Sequence, residues 1–151
     1  MNGIQLTIDG IEDEGSQPLL PAGVVLLPTW AAPQAAALWQ DMEQIRRGAP
    51  FRSLTTPGGR PMSVMITNCG DFGWFSDAHG YRYEATDPQT GQPWPAMPER
   101  FFRLATAAAE AAGFLGFIPD SCLINRYAPG AQMTLHQDVQ ERDLGSPVVY
   151  V

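Results

Sequence analysis

Near residue 120 the side-chain pattern of this chain changes from the period of a helix to the period of a strand. In "SCLINRY", residues 121–127, alternate side chains fall on opposite faces, so Leu123, Asn125 and Tyr127 share one face, called the Asn125 face below. The following "APGA" is a turn, and "MTLHQD" is again extended. The chain must therefore combine a β-sheet with the helices predicted upstream.

Two upstream segments have helical patterns. In "APQAAALWQDMEQIRRG", residues 32–48, Pro33 suits the first turn and Gly48 can end the helix. The segment "MPERFFRLATAAAEAAG", residues 97–113, has a proline near its start and a glycine at its end. The residues expected to face the core are Leu38, Met42 and Ile45 in the first helix and Phe101, Leu104, Ala105 and Ala108 in the second.

Other segments predict strands and loops. "GVVLL", residues 23–27, is β-branched and closed by proline, so it predicts a strand. "TPGG" predicts the turn of a hairpin that continues into "MSVMIT", and "SPVVYV" starts another strand. Residues 84–98 contain four prolines and a glycine, so we expect a structured loop there.

Length and charge limit the possible functions. With 151 residues and 44% hydrophobic residues, the chain is expected to form a single domain over residues 21–151. Residues 1–20 are expected to form a polar, flexible leader ahead of it. The net charge of −7 and a pI near 4.6 argue against a broad basic surface, so any nucleic-acid contact must be local. The two cysteines form no CxxC pair and no apolar run reaches the length of a membrane span, which favours a cytoplasmic protein.

Two groups of polar residues are candidates for a functional site. Asn125 and Tyr127 form either a ligand-binding wall or merely the solvated side of an antiparallel pair. His136 and Asp138 project to one side of an extended segment, where an imidazole and a carboxylate can bind one metal ion. An HxD triplet also arises by chance, and a lone histidine is usually a polar residue with a hydrogen bond, so spacing alone leaves both interpretations open.

The motifs "TPGG", "TNCG", "DPQTGQPWPAMP" and "INRYAPGA" followed by "LHQD" together resemble the AlkB family of bacterial DNA repair dioxygenases. The resemblance runs from about Gly23 to Val151. It implies Fe(II) as the cofactor and 2-oxoglutarate and O2 as co-substrates. The implied reaction hydroxylates an N-alkyl group on a base, and the alkyl group is then released as an aldehyde. By this resemblance His136 and Asp138 are metal ligands, Asn125 and Tyr127 contact 2-oxoglutarate, and Leu123 lines the same wall.

The resemblance also assigns a nucleotide-recognition lid to residues 56–83. Trp74 is expected to stack on the extruded base, and Thr56 and Tyr81 to contact the nucleic-acid backbone. The alternatives are that Trp74 is a buried anchor beside Phe72 and that Tyr81 pairs with Tyr83 across a hairpin. Gln140 stands where close relatives carry an acid that contacts the base, so base preference stays open. His79 lies outside the motif and is expected at the surface.

The implied fold class is α+β, with N-terminal helices and the lid packed on a double-stranded β-helix, or jelly-roll, that ends after its first strands. The family's second metal-binding histidine and its 2-oxoglutarate-binding arginine have no counterpart among the 13 residues after Asp138. We therefore expect a C-terminally truncated DNA dealkylase that is inactive alone. The expected partner is alkylated single-stranded DNA, with RNA as a second candidate, no membrane, and a monomer when complete.

Three other interpretations are open. The chain could be a catalytically silent module that binds single-stranded nucleic acid through Thr56, Trp74 and Tyr81, although its acidic pI argues against this. It could be a related 2-oxoglutarate dioxygenase with a different substrate. It could also form an oligomer in which a neighbouring chain supplies further strands.

Overall fold

The computed structural model describes residues 3–6, 20, 22–133 and 143–151. The helices are α1 (Ala35–Gly48), which follows a 3₁₀ turn at Ala32–Gln34, and α2 (Glu99–Ala111). The strands are β1 (Gly3–Leu6), β2 (Arg52–Thr55), β3 (Pro61–Gly70), β4 (Gly73–Asp77), β5 (Gly80–Glu84), β6 (Ser121–Arg126) and β7 (Val149–Tyr150). The chain thus contains both helices and strands, as the α+β prediction requires.

Five strands form one mixed sheet in the order β2-β3-β6-β1-β7, and β4 and β5 form a separate antiparallel hairpin. Strand β6 is antiparallel to β3, with Asn125 opposite Ile66 and Leu123 opposite Asn68. Its other neighbour is β1, which is parallel to both β6 and β7. Strand β6 is therefore an interior strand, and its two faces meet different parts of the molecule.

The main core lies between the two helices and one face of the sheet. Side chains from both helices pack there with Cys122 and Ile124 of β6. The residues predicted to form the inner stripes are all buried, namely Leu38, Met42, Ile45, Phe101, Leu104, Ala105 and Ala108. Helix α1 ends at Gly48 as predicted, and Pro98 is the N-cap of α2. This core fixes the position of β6 in the fold.

Two cysteines lie opposite each other within this core. Cys69 of β3 and Cys122 of β6 are partners in the antiparallel register, and both are free and fully buried. Burial raises the pKa of the Cys122 thiol well above its ordinary value, with a further contribution from its bond to Cys69. Both side chains therefore serve as small buried groups, as predicted.

Two predictions at the N-terminal end are wrong in part. Residues 24–27 are not in a strand, and Val24, Val25 and Leu26 are each more than half exposed. Their β-branched composition does not suffice, because a strand also needs a partner to accept its backbone hydrogen bonds. Conversely, part of the leader predicted over 1–20 is ordered, since Gly3–Leu6 gains such partners in β6 and β7. Residues 7–19, which include most of the polar stretch, lie outside the described part of the chain.

The proline-rich segment after β5 is a structured loop, as predicted. Arg52 donates one hydrogen bond to Asp87 (2.6 Å) and one to Gln89 (2.7 Å), and its guanidinium lies over the Trp94 ring. The Trp94 indole N–H donates to the carbonyl of Glu84 at the end of β5 (2.9 Å). These contacts connect the loop to β2 and to the end of β5, so the loop supports the hairpin.

No helix in the described residues is both long enough and apolar enough to cross a lipid bilayer.

Candidate functional site

The Asn125 face of β6 lies beneath the β4–β5 hairpin. A second hydrophobic cluster forms there from Leu54, Val64, Ile66 and Phe75. Leu123, Tyr127, Met133 and Trp74 pack against the same cluster. The residues predicted to line the 2-oxoglutarate wall and the residue predicted to stack on a base therefore meet at one place. The period-two pattern of "SCLINRY" predicted this division of faces correctly.

The Asn125 side chain is buried and has no hydrogen-bond partner in the described part of the chain. Only 6% of the residue is exposed, and neither Oδ1 nor Nδ2 has a partner among the described residues. Leaving a buried polar group unsatisfied costs about 1–3 kcal/mol, so such groups are rare in native proteins. The alternative interpretation, in which this face is exposed to solvent, is wrong for Asn125, because water does not reach its amide. An amide in this state can donate to a carboxylate ligand from Nδ2 and accept from a polar group at Oδ1.

The segment after β6 returns to the Asn125 face. Gly130 adopts a left-handed conformation (φ 84°), and the Ala131 N–H donates to the carbonyl of Ala128 (2.8 Å). The Ser63 hydroxyl then donates to the carbonyl of Gln132 (2.8 Å), which attaches this segment to β3. Met133 packs on the second cluster, with its sulfur 3.9 Å from the Tyr127 hydroxyl. The predicted "APGA" turn is thus present, and it brings the chain back over the predicted ligand wall.

Trp74 and Tyr81 form a two-ring aromatic surface, called the Trp74–Tyr81 platform below. Their ring centroids are 5.6 Å apart and the planes differ by 21°, which is a stacked arrangement. Tyr81 is 41% exposed, so the platform reaches solvent. In the β4–β5 register Tyr81 lies opposite Ser76, and Trp74 lies opposite Tyr83. Tyr81 therefore does not pair with Tyr83, which was the alternative interpretation of this tyrosine.

Asn68 of β3 holds the backbone of Trp74 at both polar atoms. The Asn68 amide donates to the carbonyl of Trp74 (3.0 Å) and accepts from its N–H (3.0 Å). Asn68 is itself buried, with 2% exposure. Sequence reasoning missed this residue, because nothing in "TNCG" distinguishes a side chain that bonds to a strand from one that faces a ligand. The two hydrogen bonds between Asn68 and Trp74 attach the platform to the central sheet.

An ion-pair group stabilises the other side of the hairpin. Arg82 donates two hydrogen bonds to Asp77 (2.8 and 3.1 Å) and one to Glu84 (2.6 Å), and it lies over the Phe75 ring. The bonds from Arg82, with that from the His79 N–H, hold the pKa of Asp77 well below its ordinary value. The His79 side chain is 83% exposed, so its prediction as a surface residue is confirmed. Arg82 is fully neutralised by its two acids.

Thr56 begins the turn between β2 and β3. Its hydroxyl accepts from the Arg60 N–H (3.2 Å), its N–H donates to the Arg60 carbonyl (2.8 Å), and its carbonyl accepts from Gly59 (2.8 Å). Ser76 of β4 donates to the carbonyl of the preceding residue, Thr55 (2.6 Å). This bond joins the turn to the hairpin, so Thr56 lies beside the strand that carries Trp74.

Gly73 permits the hairpin to pack on the loop. A Cβ at Gly73 would lie 2.3 Å from a ring carbon of Trp94. We expect Gly73→Ala to lower the free energy of unfolding by about 1–3 kcal/mol, because the indole must move and its bond to Glu84 is strained. Chemical denaturation monitored by circular dichroism measures this change. Gly58→Ala is the control, since its nearest neighbour is at 3.9 Å; equal losses in both variants would contradict the role of Trp94.

The predicted metal ligands His136 and Asp138, and the predicted base-contacting residue Gln140, lie outside the described residues. Among the residues that are described, no group of three or more histidine, cysteine, aspartate or glutamate side chains could hold a metal ion. The metal assignment therefore stays a prediction. What the described residues provide is a carboxylate-compatible amide at Asn125 and an aromatic platform on the same face.

The family model that matches this chain is that of the 2OG-Fe(II) oxygenase superfamily, over residues 23–151. The chain belongs to this superfamily. The match confirms the resemblance drawn from the motifs, and with it the jelly-roll at the level of the superfamily. Fe(II) and 2-oxoglutarate are the groups that the superfamily's name specifies.

Curated relatives place the chain near AlkB within the superfamily. It is 51% identical to the alpha-ketoglutarate-dependent dioxygenase AlkB of Escherichia coli K12 over 135 residues, 89% of this chain and 62% of the relative. It is 49% identical to AlkB of Salmonella typhimurium LT2 over 146 residues, 95% of this chain and 67% of that one. An AlkB homolog of Caulobacter vibrioides is 47% identical over 103 residues, 68% of this chain and 45% of the homolog. The chain thus spans less than two thirds of the E. coli relative.

Proposed function

We propose that this chain carries the co-substrate-binding face and the base-binding platform of an Fe(II)- and 2-oxoglutarate-dependent dioxygenase that dealkylates bases in single-stranded DNA. Residues 21–151 would form one domain in which the β4–β5 hairpin acts as the nucleotide-recognition lid. The observation that carries the proposal is that Trp74, Leu123 and Tyr127 pack on one cluster. Next to it lies the Asn125 amide, which has no hydrogen-bond partner among the described residues.

The chemistry of Asn125 fits 2-oxoglutarate. A dicarboxylate offers acceptors to Nδ2, and the low exposure of the site strengthens a hydrogen bond to a charged group. Tyr127 lies two residues further along the same face, and Leu123 supplies an apolar contact for the methylene groups. These three residues would hold the co-substrate against β6. Iron and 2-oxoglutarate would supply hydroxylation of the N-alkyl group, whose product releases an aldehyde.

Covalent connection supports the assignment of His136 and Asp138 as metal ligands. Met133 packs on the second cluster, and three residues span at most about 11 Å even when extended. A metal site that includes His136 would therefore lie close to the second cluster. The 2-His-1-carboxylate arrangement typical of this chemistry leaves positions open for 2-oxoglutarate and O2. His79 does not fit as the second histidine, because it is exposed and bonded to Asp77 in the hairpin.

The platform fits a flipped base. Stacking on an aromatic ring is tolerant of base identity, which suits a protein that must accept several damaged bases. Asn68 fixes the Trp74 backbone, and Arg82 with its two acids fixes the far side of the hairpin. The platform would then present one orientation to the incoming nucleotide.

Binding of 2-oxoglutarate to the anaerobic protein with Fe(II) tests the proposal without requiring turnover. We expect 2-oxoglutarate to raise the thermal midpoint of the wild-type chain and to leave that of Asn125→Leu unchanged. Differential scanning fluorimetry over a concentration series measures both. Succinate, which lacks the keto group, is the matched control. Equal stabilisation of the wild type and the variant would refute the role of the Asn125 face.

A further inference from the structure

We propose that Arg60, at the end of the β2–β3 turn, binds a backbone phosphate of single-stranded DNA beside the Trp74–Tyr81 platform. This inference rests on the proposed function and adds to it the residue that supplies the local positive charge. A chain of net charge −7 repels a polyanion as a whole, so binding requires a cation at a defined place.

Most arginines near the hairpin are already neutralised. Arg82 pairs with Asp77 and Glu84, and Arg52 pairs with Asp87. The three arginines paired on the helices are Arg46 with Glu43, Arg100 with Asp41, and Arg103 with Glu99. A carboxylate beside a guanidinium offsets its positive charge, so a paired arginine attracts a phosphate less strongly than an unpaired arginine does.

Two further arginines, which form no ion pair with any residue that the structure describes, lie on the opposite side of the sheet. Arg126 shares a face of β6 with Cys122 and Ile124, the face covered by the helices. Arg47 is in the last turn of α1. Both lie close enough to Glu43 to help lower the pKa of that carboxyl, after the larger effect of its bond with Arg46. Neither is on the hairpin side.

Arg60 is on the hairpin side and makes no ion pair within the described part of the chain. It is exposed, and only its backbone is engaged, through Thr56. A continuous set of contacts connects it to the platform: Tyr81 lies opposite Ser76, and Ser76 bonds to the Thr55 carbonyl beside Thr56. The guanidinium thus extends from a turn that is attached to the platform, with its donors available for a phosphate.

The test compares two variants of equal net charge, Arg60→Gln and Arg47→Gln. Binding of a fluorescein-labelled single-stranded oligonucleotide that carries one N-methylated adenine is measured by anisotropy over a series of salt concentrations. We expect Arg60→Gln to weaken binding several-fold and to reduce the slope of log affinity against log salt by about 0.7, the value for one phosphate contact on a single strand. Arg47→Gln, which removes the same charge on the other side of the sheet, should leave the slope unchanged. Arg60→Lys should retain it.

The outcomes separate this inference from the proposed function. Equal effects of Arg60→Gln and Arg47→Gln would overturn the phosphate contact, and a loss of binding in Trp74→Ala in the same series would leave the proposed function standing. Absence of any oligonucleotide binding by the wild-type chain would overturn both. Circular dichroism of each variant checks that the fold is retained, as expected for the exposed side chains of Arg47 and Arg60.

Discussion

Replacing Asn125 with leucine is expected to raise the free energy of unfolding by about 1–2 kcal/mol and to abolish 2-oxoglutarate binding. The rise follows because leucine removes two buried polar atoms that have no partner among the described residues. The loss follows because the same atoms are the proposed contact with the co-substrate. For a chain of this size the rise corresponds to an increase of roughly 2–8 °C in the thermal midpoint. Thermal unfolding without ligand and titration with 2-oxoglutarate measure the two effects.

Asn68→Leu is a matched control for which we expect the opposite change in the free energy of unfolding. Asn68 is the same residue type on the same face of the sheet, opposite Leu123 in the register, but both of its amide atoms are bonded to Trp74. Its replacement leaves the Trp74 N–H and carbonyl unsatisfied, and we expect a loss of about 1–3 kcal/mol. If both asparagine variants lose stability equally, Asn125 has a structural partner and the co-substrate site is elsewhere.

Replacing Trp74 with alanine is expected to raise the dissociation constant for the methylated oligonucleotide by about 5-fold to 150-fold, because stacking of one base on an aromatic ring contributes about 1–3 kcal/mol. Fluorescence anisotropy at fixed ionic strength measures this change. Trp74→Phe should recover most of the affinity, since it retains a ring at the same backbone position. Trp39→Ala is the control for loss of an exposed indole, because Trp39 is 53% exposed on α1.

Trp74 also packs on the second cluster, so Trp74→Ala has a cost in stability that must be measured separately. Tyr81→Ala provides an independent reading, because Tyr81 is more exposed and its removal takes one ring from the platform. We expect it to weaken binding less than Trp74→Ala does. If affinity is unchanged in all three variants, Trp74→Ala, Trp74→Phe and Tyr81→Ala, the platform is not the base-binding surface.

The sequence predicted correctly those elements whose pattern lies within their own residues. Helices α1 and α2 have apolar stripes, β6 alternates with period two, and "TPGG" specifies its own turn. The segment at residues 24–27 was mispredicted and β1 was missed, because a strand depends on a partner distant in sequence. Propensity describes what a segment can form, whereas pairing decides what it does form.

The candidate site shows the same limit. The pattern placed Leu123, Asn125 and Tyr127 on one face, and the motif resemblance added Trp74 and Tyr81. Neither signal could separate Asn125, whose amide has no partner among the described residues, from Asn68, whose amide makes two hydrogen bonds to Trp74, because both are asparagines within strands. That difference arises from the position of β4 against β3, which is a tertiary contact. The availability of Arg60 likewise depends on which acids the fold brings to the other arginines.

Under the proposed function, the attachment of the Trp74 backbone to Asn68 would also affect the thermodynamics of nucleotide recognition. A hairpin that could pivot about Trp74 would lose conformational entropy each time it closed on a nucleotide, and this loss would reduce affinity. Two hydrogen bonds from a buried side chain of the central sheet impose that ordering during folding instead. A nucleotide would then meet a surface that is already ordered. Affinity for different bases should accordingly vary with how well each one stacks and not with how far the protein must rearrange.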